Sequence, residues 1–194
     1  MPYTPPDGIG NLRRERLRNA RLYFVCDARP GGEDPGPLLR AALDGGVDVI
    51  QLREKSGDRR LTDRAAQTFR RLADTYGVPF FVNDDPELAV HYRADGVHIG
   101  QDDVTVEEAR QIVGNDSLIG LSTHSAEQVD AAAGVDHISV GPVWPTPTKQ
   151  GRPAVGTDLV NYAAGNTALP FFAIGGIDTT NVKEVLGAGA RRIC

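Results

Sequence analysis

Residues 94–125 read ADGVHIGQDDVTVEEARQIVGNDSLIGLSTHS, and their pattern indicates the architecture of the chain. Two short apolar runs, GVHI at 96–99 and LIGL at 118–121, are bounded by Gly, Asp and Ser, which is typical of buried strands. The segment Thr105–Val113 between them has the character of a helix. Two short strands separated by a helix predict a parallel pair joined by a helical crossover.

The same pattern recurs on both sides of this segment. Five further apolar runs of similar length are LYFV (22–25), VDVIQL (47–52), PFFV (79–82), HISV (137–140) and PFFAI (170–174). Five further helices are predicted at Asn11–Ala20, Pro37–Leu43, Thr62–Tyr76, Ser125–Ala133 and Thr179–Leu186. Thr62 and Thr179 are expected to cap the helices that they begin. This alternation of strands and helices predicts a parallel sheet with helical crossovers.

Two parallel architectures fit this order of elements, an open doubly wound sheet and a (β/α)₈ TIM barrel. The first strand is not followed by the G-x-G-x-x-G turn of dinucleotide-binding sheets. Polar residues follow many of the strands, as expected for a barrel whose active site uses most of its loops. We therefore predict an α/β protein with a (β/α)₈ barrel as its catalytic domain over residues 21–194. Residues 1–20 are predicted to be an N-terminal extension with a short helix.

Composition excludes several classes of function. The 194 residues carry a net charge of −5 and two cysteines, and the apolar runs extend over only a handful of residues. These features argue against nucleic-acid binding, a membrane-spanning helix, and a zinc site or disulfide framework. We expect a cytoplasmic protein without nucleic-acid or membrane partners. The sequence leaves the oligomeric state open, and a homodimer is retained as one option.

Polar side chains and a glycine pair follow six of the predicted strands, and in a barrel they would converge on one mouth. They are Gln51, Arg53 and Lys55; Asn83, Asp84 and Asp85; His98, Gln101, Asp102 and Asp103; Ser122, Thr123, His124 and Ser125; Thr146, Thr148 and Lys149; and Gly175 and Gly176. Taken singly, Asp84, Asp102 and Asp103 are also typical of helix N-caps, and His98 of a core histidine. The chain has only three lysines, however, and two of them fall in this set.

The residue types also fit one chemistry. Asp84 and Asp103 on neighbouring strands match the preference of Mg²⁺ for one or two carboxylates, with phosphate oxygens and water as its other ligands. Lysines, an arginine, hydroxyls and a Gly-Gly turn suit phosphate groups. There is no evident Ser-His-Asp or cysteine nucleophile arrangement, so His98 and His124 are the candidates for a general base. The sequence therefore predicts a Mg²⁺-binding site for a phosphorylated small molecule.

Several of these motifs resemble the thiamine phosphate synthase family. The motifs are QLREK (51–55), VND (82–84), ADGVHIGQDD (94–103), GLSTHS (120–125), GPVWPTPTK (141–149) and AIGGI (173–177). They occur in the family's order and spacing from Leu22 to about Gly189. The resemblance implies a (β/α)₈ barrel that joins hydroxymethylpyrimidine diphosphate to hydroxyethylthiazole phosphate and releases pyrophosphate. The implied mechanism is a dissociative displacement in which the thiazole nitrogen captures a pyrimidine cation.

The resemblance also implies a role for each site residue. The implied substrate-binding residues are Gln51, Arg53 and His98 for the pyrimidine, Lys55, Asn83, Ser122 and Lys149 for the diphosphate, and Thr146, Thr148 and Gly176 for the thiazole phosphate. Of these, the implied catalytic residues are Lys55, Ser122 and Lys149. Asp84 and Asp103 would ligate Mg²⁺.

The C-terminal end departs from the family pattern. Family members continue past strand 8 with a small turn and a final helix, whereas this sequence ends at Cys194. We therefore expect a chain that ends in strand 8, lacks the last helix and has an open, less stable barrel edge. Two alternatives to a synthase are kept: a thiazole tautomerase-like paralogue, and a truncated, inactive binder of phosphorylated thiamine precursors.

Overall fold

The computed structural model describes residues 8–146 and 153–194, which form a barrel of seven parallel strands. The strands are β1 (Tyr23–Cys26), β2 (Val49–Leu52), β3 (Phe80–Asn83), β4 (Gly96–Ile99), β5 (Leu118–Thr123), β6 (His137–Val140) and β7 (Phe171–Ala173). The helices are α1 (Ile9–Asn19), α2 (Pro35–Asp44), α3 (Arg59–Tyr76), α4 (Pro86–His91), α5 (Val106–Val113), α6 (Ala126–Ala131), α7 (Gly156–Asn166) and α8 (Val182–Gly187). Strand order follows chain order and every neighbouring pair is parallel, which confirms the predicted barrel.

The C-terminal residues lie between β7 and the start of β1. Ile193 makes parallel bridges with Ala173 in β7 and with Leu22 just before β1. The backbone N–H of Ile193 donates to the carbonyl of Arg21 at 2.9 Å, and that of Cys194 donates to the carbonyl of Ala173 at 2.8 Å. The expectation of an open edge is therefore wrong, because these bonds reach both neighbouring strands and nearly close the barrel.

The strands separate two layers of the core. Tyr23, Phe81 and Phe172 face inward and pack with Leu17 of α1 inside the barrel. The outward-facing residues of the same strands, such as Phe80, pack under the surrounding helices. Because successive side chains of a strand point to opposite faces, strands covered on both sides are apolar almost throughout. This burial explains the uninterrupted apolar runs in the sequence.

The helix starts differ from both of the predicted threonine caps. Thr105 forms a capping box at the start of α5, within the predicted helix. Helix α3 begins earlier than predicted, because Asp58 caps it, and Thr62 lies inside the helix. Helix α8 begins at Val182 without a side-chain cap, so the prediction that Thr179 caps it was wrong. None of the described helices has the length and apolar character needed to cross a bilayer.

An arginine–aspartate network lies at the N-terminal end of the barrel. The carboxylate of Asp95, just before β4, accepts from Arg13 of α1 and Arg70 of α3, each at 2.8 Å, and from the backbone N–H of Phe80 at 3.0 Å. A second network of this kind consists of Asp136, Arg14 and Arg110. These contacts attach α1, the helix predicted within the first twenty residues, to the barrel.

We expect Asp95→Ala to lower the free energy of unfolding by about 2 kcal/mol, because two partly buried guanidinium groups and a backbone N–H lose their acceptor. Asp74→Ala is the matched control, since Asp74 also pairs with Arg70 but has a side chain that is 67% exposed. The control should change stability by less than about 0.5 kcal/mol. Urea denaturation of both variants measures the difference, and equal midpoints would contradict the role of Asp95.

Candidate active site

Most of the predicted site residues meet around one cavity at the C-terminal ends of the strands. The cavity has a volume of about 430 Å³ and is lined by residues of the strands and of the loops that follow them. The predicted site residues that line it are Gln51, Arg53, Asn83, His98, Ser122, Thr146 and Gly176. Lys55, Asp84 and Asp103 are not among its lining residues. Thr148 and Lys149 lie outside the described residues.

Gln51 and Tyr23 form the inner wall of this cavity. The side-chain amide of Gln51 donates to the hydroxyl of Tyr23 at 2.8 Å, and both residues are almost completely buried. Burial raises the pKa of Tyr23 well above its usual value, with a further increase from the nearby Cys194. The Tyr23 hydroxyl therefore stays neutral at physiological pH and holds the Gln51 amide in a fixed position.

Lys55 and Asp84 form an ion pair just outside the residues that line the cavity. Asp84 directly follows the lining residue Asn83, and its backbone N–H donates to the carbonyl of His98 at 2.8 Å. Asp84 also has a backbone φ of +66°, a conformation that residues other than Gly, Asn and Asp seldom adopt. The backbone thus holds this carboxylate beside the cavity in a strained conformation of the kind found at functional sites.

The two predicted metal-ligand carboxylates do not cap helices. Asp85 caps α4, so Asp84 is left for the pair with Lys55, and Thr105 caps α5. The carboxylate of Asp103 instead accepts from the backbone N–H of Gly100 at 2.7 Å in the loop after β4. In the described segments, no three His, Cys, Asp or Glu side chains are grouped closely enough to hold a metal ion.

A glycine pair after β7 forms another part of the cavity wall. Gly176 has a φ of +64°, and a Cβ at this position would lie 2.8 Å from the Cβ of Trp144. Only glycine fits both the conformation and the space. Its close contact with Trp144 and Pro145 places this backbone against the loop after β6, whose Thr146 lines the same cavity. The structure therefore brings together the described residues that the resemblance assigns to the thiazole phosphate.

Polar residues inside the barrel were not among those predicted from the sequence. His137 and Ser139 on β6 line the cavity, together with Tyr23 on β1. Ser139 lies 3.4 Å from Nε2 of His98, and His137 lies 3.3 Å from Nδ1 of the same ring. A signal was present in the run HISV, because two polar residues separated by one apolar residue face the same side of a strand.

Cys26 and His124 lie in surroundings that are less suited to chemistry than those of His98. Burial, with the charge of Asp27, raises the pKa of Cys26 to about 11, so its thiol stays protonated at neutral pH. Nδ1 of His124 donates to the carbonyl of Gly141, and His124 is not among the residues that line the cavity. Of the two histidines suggested from the sequence, His98 is the one at the cavity.

A parallel barrel with polar residues gathered at the C-terminal ends of its strands is the arrangement of TIM-barrel enzymes. The family model described as thiamine monophosphate synthase (TMP-TENI) matches residues 22–194. The chain belongs to this family, as the sequence motifs had indicated.

Curated relatives agree with this assignment. The chain is 52% identical over 178 residues to the thiamine-phosphate synthase of Thermus thermophilus, and the matched region covers 89% of this chain and 85% of the relative. It is 50% identical over 181 residues to the thiamine-phosphate synthase of Acidothermus cellulolyticus, covering 91% of this chain and 85% of the relative.

Solved structures give the same result for the fold. The thiamine phosphate pyrophosphorylase from Pyrococcus furiosus superposes with a TM-score of 0.80 at 31% identity, over 93% of this chain and 85% of that one. A tryptophan synthase α-subunit from the same organism has a TM-score of 0.64 at 12% identity, over 90% of this chain and 85% of that one. This second likeness concerns the fold alone.

Proposed function

We propose that this chain is a thiamine-phosphate synthase that joins hydroxymethylpyrimidine diphosphate to hydroxyethylthiazole phosphate and releases pyrophosphate. The observation that carries the proposal is that residues from each of the described strands meet at one cavity of about 430 Å³. Its lining includes the aromatic rings of Tyr23 and Phe172, and the Lys55–Asp84 ion pair lies just outside the lining residues. Membership of the family supports the reaction class.

The proposed roles are those that the resemblance to the family implies. Gln51, Arg53 and His98 contact the pyrimidine ring. Lys55, Asn83 and Ser122, with Lys149, hold the diphosphate, and Thr146, Gly176 and Thr148 bind the thiazole phosphate. In this arrangement no side chain acts as a nucleophile.

Catalysis then depends on positioning and on charge. As the bond between the pyrimidine methylene carbon and the diphosphate oxygen breaks, negative charge grows on the leaving pyrophosphate. Lys55, Ser122 and Lys149 donate hydrogen bonds to that charge, and fixed donors of this kind stabilise a transition state more than a ground state. The thiazole nitrogen, held over the same carbon, supplies the electron pair of the new C–N bond.

Asp84 and Asp103 are the residues proposed to hold Mg²⁺. Their donor set fits this ion, because Mg²⁺ binds to proteins through one or two carboxylates and takes its other ligands from phosphate and water. When bound, the ion would neutralise charge on the diphosphate. The ion pair with Lys55 balances the negative charge of Asp84 before the diphosphate binds.

Incubation of the chain with both phosphorylated precursors tests the proposal. Mass spectrometry should detect thiamine phosphate and pyrophosphate with Mg²⁺ present and neither product after chelation with EDTA. Isomerisation of a thiazole phosphate without coupling would instead support the tautomerase alternative. Binding of the precursors without any product would support the inactive binder.

We expect Lys55→Ala to lower kcat and to raise the KM for the pyrimidine diphosphate about tenfold, since Lys55 is proposed to hold the diphosphate both before and during its departure and a charge-assisted hydrogen bond contributes about 1.5–3 kcal/mol. The KM for the thiazole phosphate should change much less, because Lys55 is assigned to the other substrate. Arg60→Ala, in the first turn of the neighbouring α3, is a control for the loss of one exposed positive charge. Steady-state kinetics with each substrate varied in turn measures both constants. Equal effects on the two KM values would contradict the assignment.

A cytoplasmic location and a homodimer stay predictions of the sequence analysis. Sedimentation equilibrium of the purified chain distinguishes a monomer of 20.8 kDa from a dimer.

A further inference from the structure

A connected group of polar side chains lies inside the barrel beneath the mouth. It consists of His98 on β4, Ser122 on β5, and His137 and Ser139 on β6. All four are buried, and neighbouring members approach within 3.0–3.5 Å. The resemblance assigns roles to His98 and Ser122 only, so the function of His137 remains to be explained.

Gly120 allows the two histidine rings to meet. It lies on β5 in register with His98 on one side and His137 on the other. Because Gly120 has no side chain, the rings approach each other across it, with Nδ1 of His98 3.3 Å from Nε2 of His137. The contact between the two imidazoles is therefore built into the strand register.

His137 is held in a largely apolar environment. Its ring centroid lies 5.2 Å from that of Phe81, 5.6 Å from Phe172 and 5.8 Å from Tyr23, and only 1% of the residue is exposed. Burial lowers the pKa of His137 to about 3, so the ring is neutral at physiological pH. Its Nδ1 atom has no hydrogen-bond partner among the described residues.

The missing partner of Nδ1 selects one tautomer of His137. If the proton were on Nδ1, a buried N–H donor would be left without an acceptor, which is the rarer and more costly defect. With the proton on Nε2, His137 donates to Nδ1 of His98. His98 must then carry its own proton on Nε2, which lies 3.0 Å from Oγ of Ser122.

We propose that His137 is a positioning residue that fixes the tautomer of His98 and thereby turns Ser122 into a hydrogen-bond donor toward the cavity. Ser122 accepts from Nε2–H of His98, so its own hydroxyl proton is available to an anionic oxygen. The proton donors then point in one direction, from His137 through His98 to Ser122. The proposal rests on the proposed function only for the identity of that anion, the departing diphosphate.

The first test is spectroscopic and needs no substrate. Long-range ¹H–¹⁵N NMR of the ¹⁵N-histidine-labelled chain reports which nitrogen of each neutral ring carries the proton, and single His→Gln variants assign the four histidines. We expect the Nε2–H form for both His98 and His137 in the wild-type chain. A dominant Nδ1–H form for either ring overturns the proposal.

A matched pair of substitutions tests the coupling. Gln and Met have similar lengths, but only Gln keeps an N–H near the position of Nε2, so His137→Gln should preserve the His98 tautomer and His137→Met should lose it. Binding of inorganic pyrophosphate in the presence of Mg²⁺ should weaken about tenfold in the Met variant and less than about twofold in the Gln variant. Thermal denaturation shows that both variants are folded when compared.

Ser122→Ala completes the design. In the Ser122→Ala background, His137→Met should cause no additional loss of pyrophosphate binding, because the donor that His137 orients is already gone. An equal loss in both backgrounds, or equal behaviour of the Gln and Met variants, overturns the proposal. These results are separate from the proposed function, which product formation by the wild-type chain tests by itself.

Discussion

Asp84→Asn should reduce kcat/KM for thiamine phosphate formation by about 100-fold or more, because it removes one of the two carboxylates assigned to Mg²⁺ and one side of the pair with Lys55. Asn is the suitable substitution, since it tolerates the φ of +66° at this position better than Ala does. The loss should therefore appear in turnover and in the Mg²⁺ concentration for half-maximal rate, while the melting temperature stays close to the wild-type value.

Asp85→Asn is the matched control for that experiment. It removes the same charge from the adjacent residue, whose side chain caps α4 by accepting from the backbone N–H of Leu88 at 2.9 Å. Asn caps helices as well as Asp does, so fold and turnover should both be retained. Near-normal turnover in Asp84→Asn, or an equal loss in the control, would contradict the assignment of Asp84.

The barrel was predictable because its strands are covered on both faces. Burial on both sides selects short apolar runs, and each of those seven runs overlaps a strand of the described barrel. The helices were harder to define, since α4 has six residues and α7 follows a long loop, and neither was singled out. Caps were also ambiguous, as the misassigned Thr62 shows, because Asp58 offered an equally good start for α3.

The candidate site was predictable to the extent that it lies at strand ends. A residue such as Arg53 follows an apolar run, and parallel strands bring all such positions to one mouth. The role of His137 was not accessible in this way, because it depends on the neighbours of β6 in space. The tertiary structure alone shows that Gly120 leaves room for His137 to contact His98.

Gly120→Ala should have the largest effect on the structure of the site. A Cβ at this position would lie under 3.0 Å from ring atoms of both His98 and His137, and these rings are packed in the barrel interior. We expect the free energy of unfolding to fall by about 3 kcal/mol, since an added methyl group in a filled core forces its neighbours to move. Displacement of His98 should also lower kcat/KM by about 100-fold, because a shift of about 1 Å in a positioned group has that effect.

Gly165→Ala is a control for which the free energy of unfolding should change in the opposite direction. Gly165 lies in α7, is exposed, and has no atom within 4 Å of the position that a Cβ would take. The same substitution should therefore stabilise the chain by about 0.5–1 kcal/mol, because Ala loses less backbone freedom in a helix than Gly does.

Denaturation and steady-state kinetics of both variants make the comparison. If Gly120→Ala keeps wild-type stability and turnover, the close contact of the two histidine rings is not needed in the active chain. If Gly120→Ala loses both stability and turnover while Gly165→Ala loses neither, the space at Gly120 is needed for the contact of the two histidine rings and of the serine beside them.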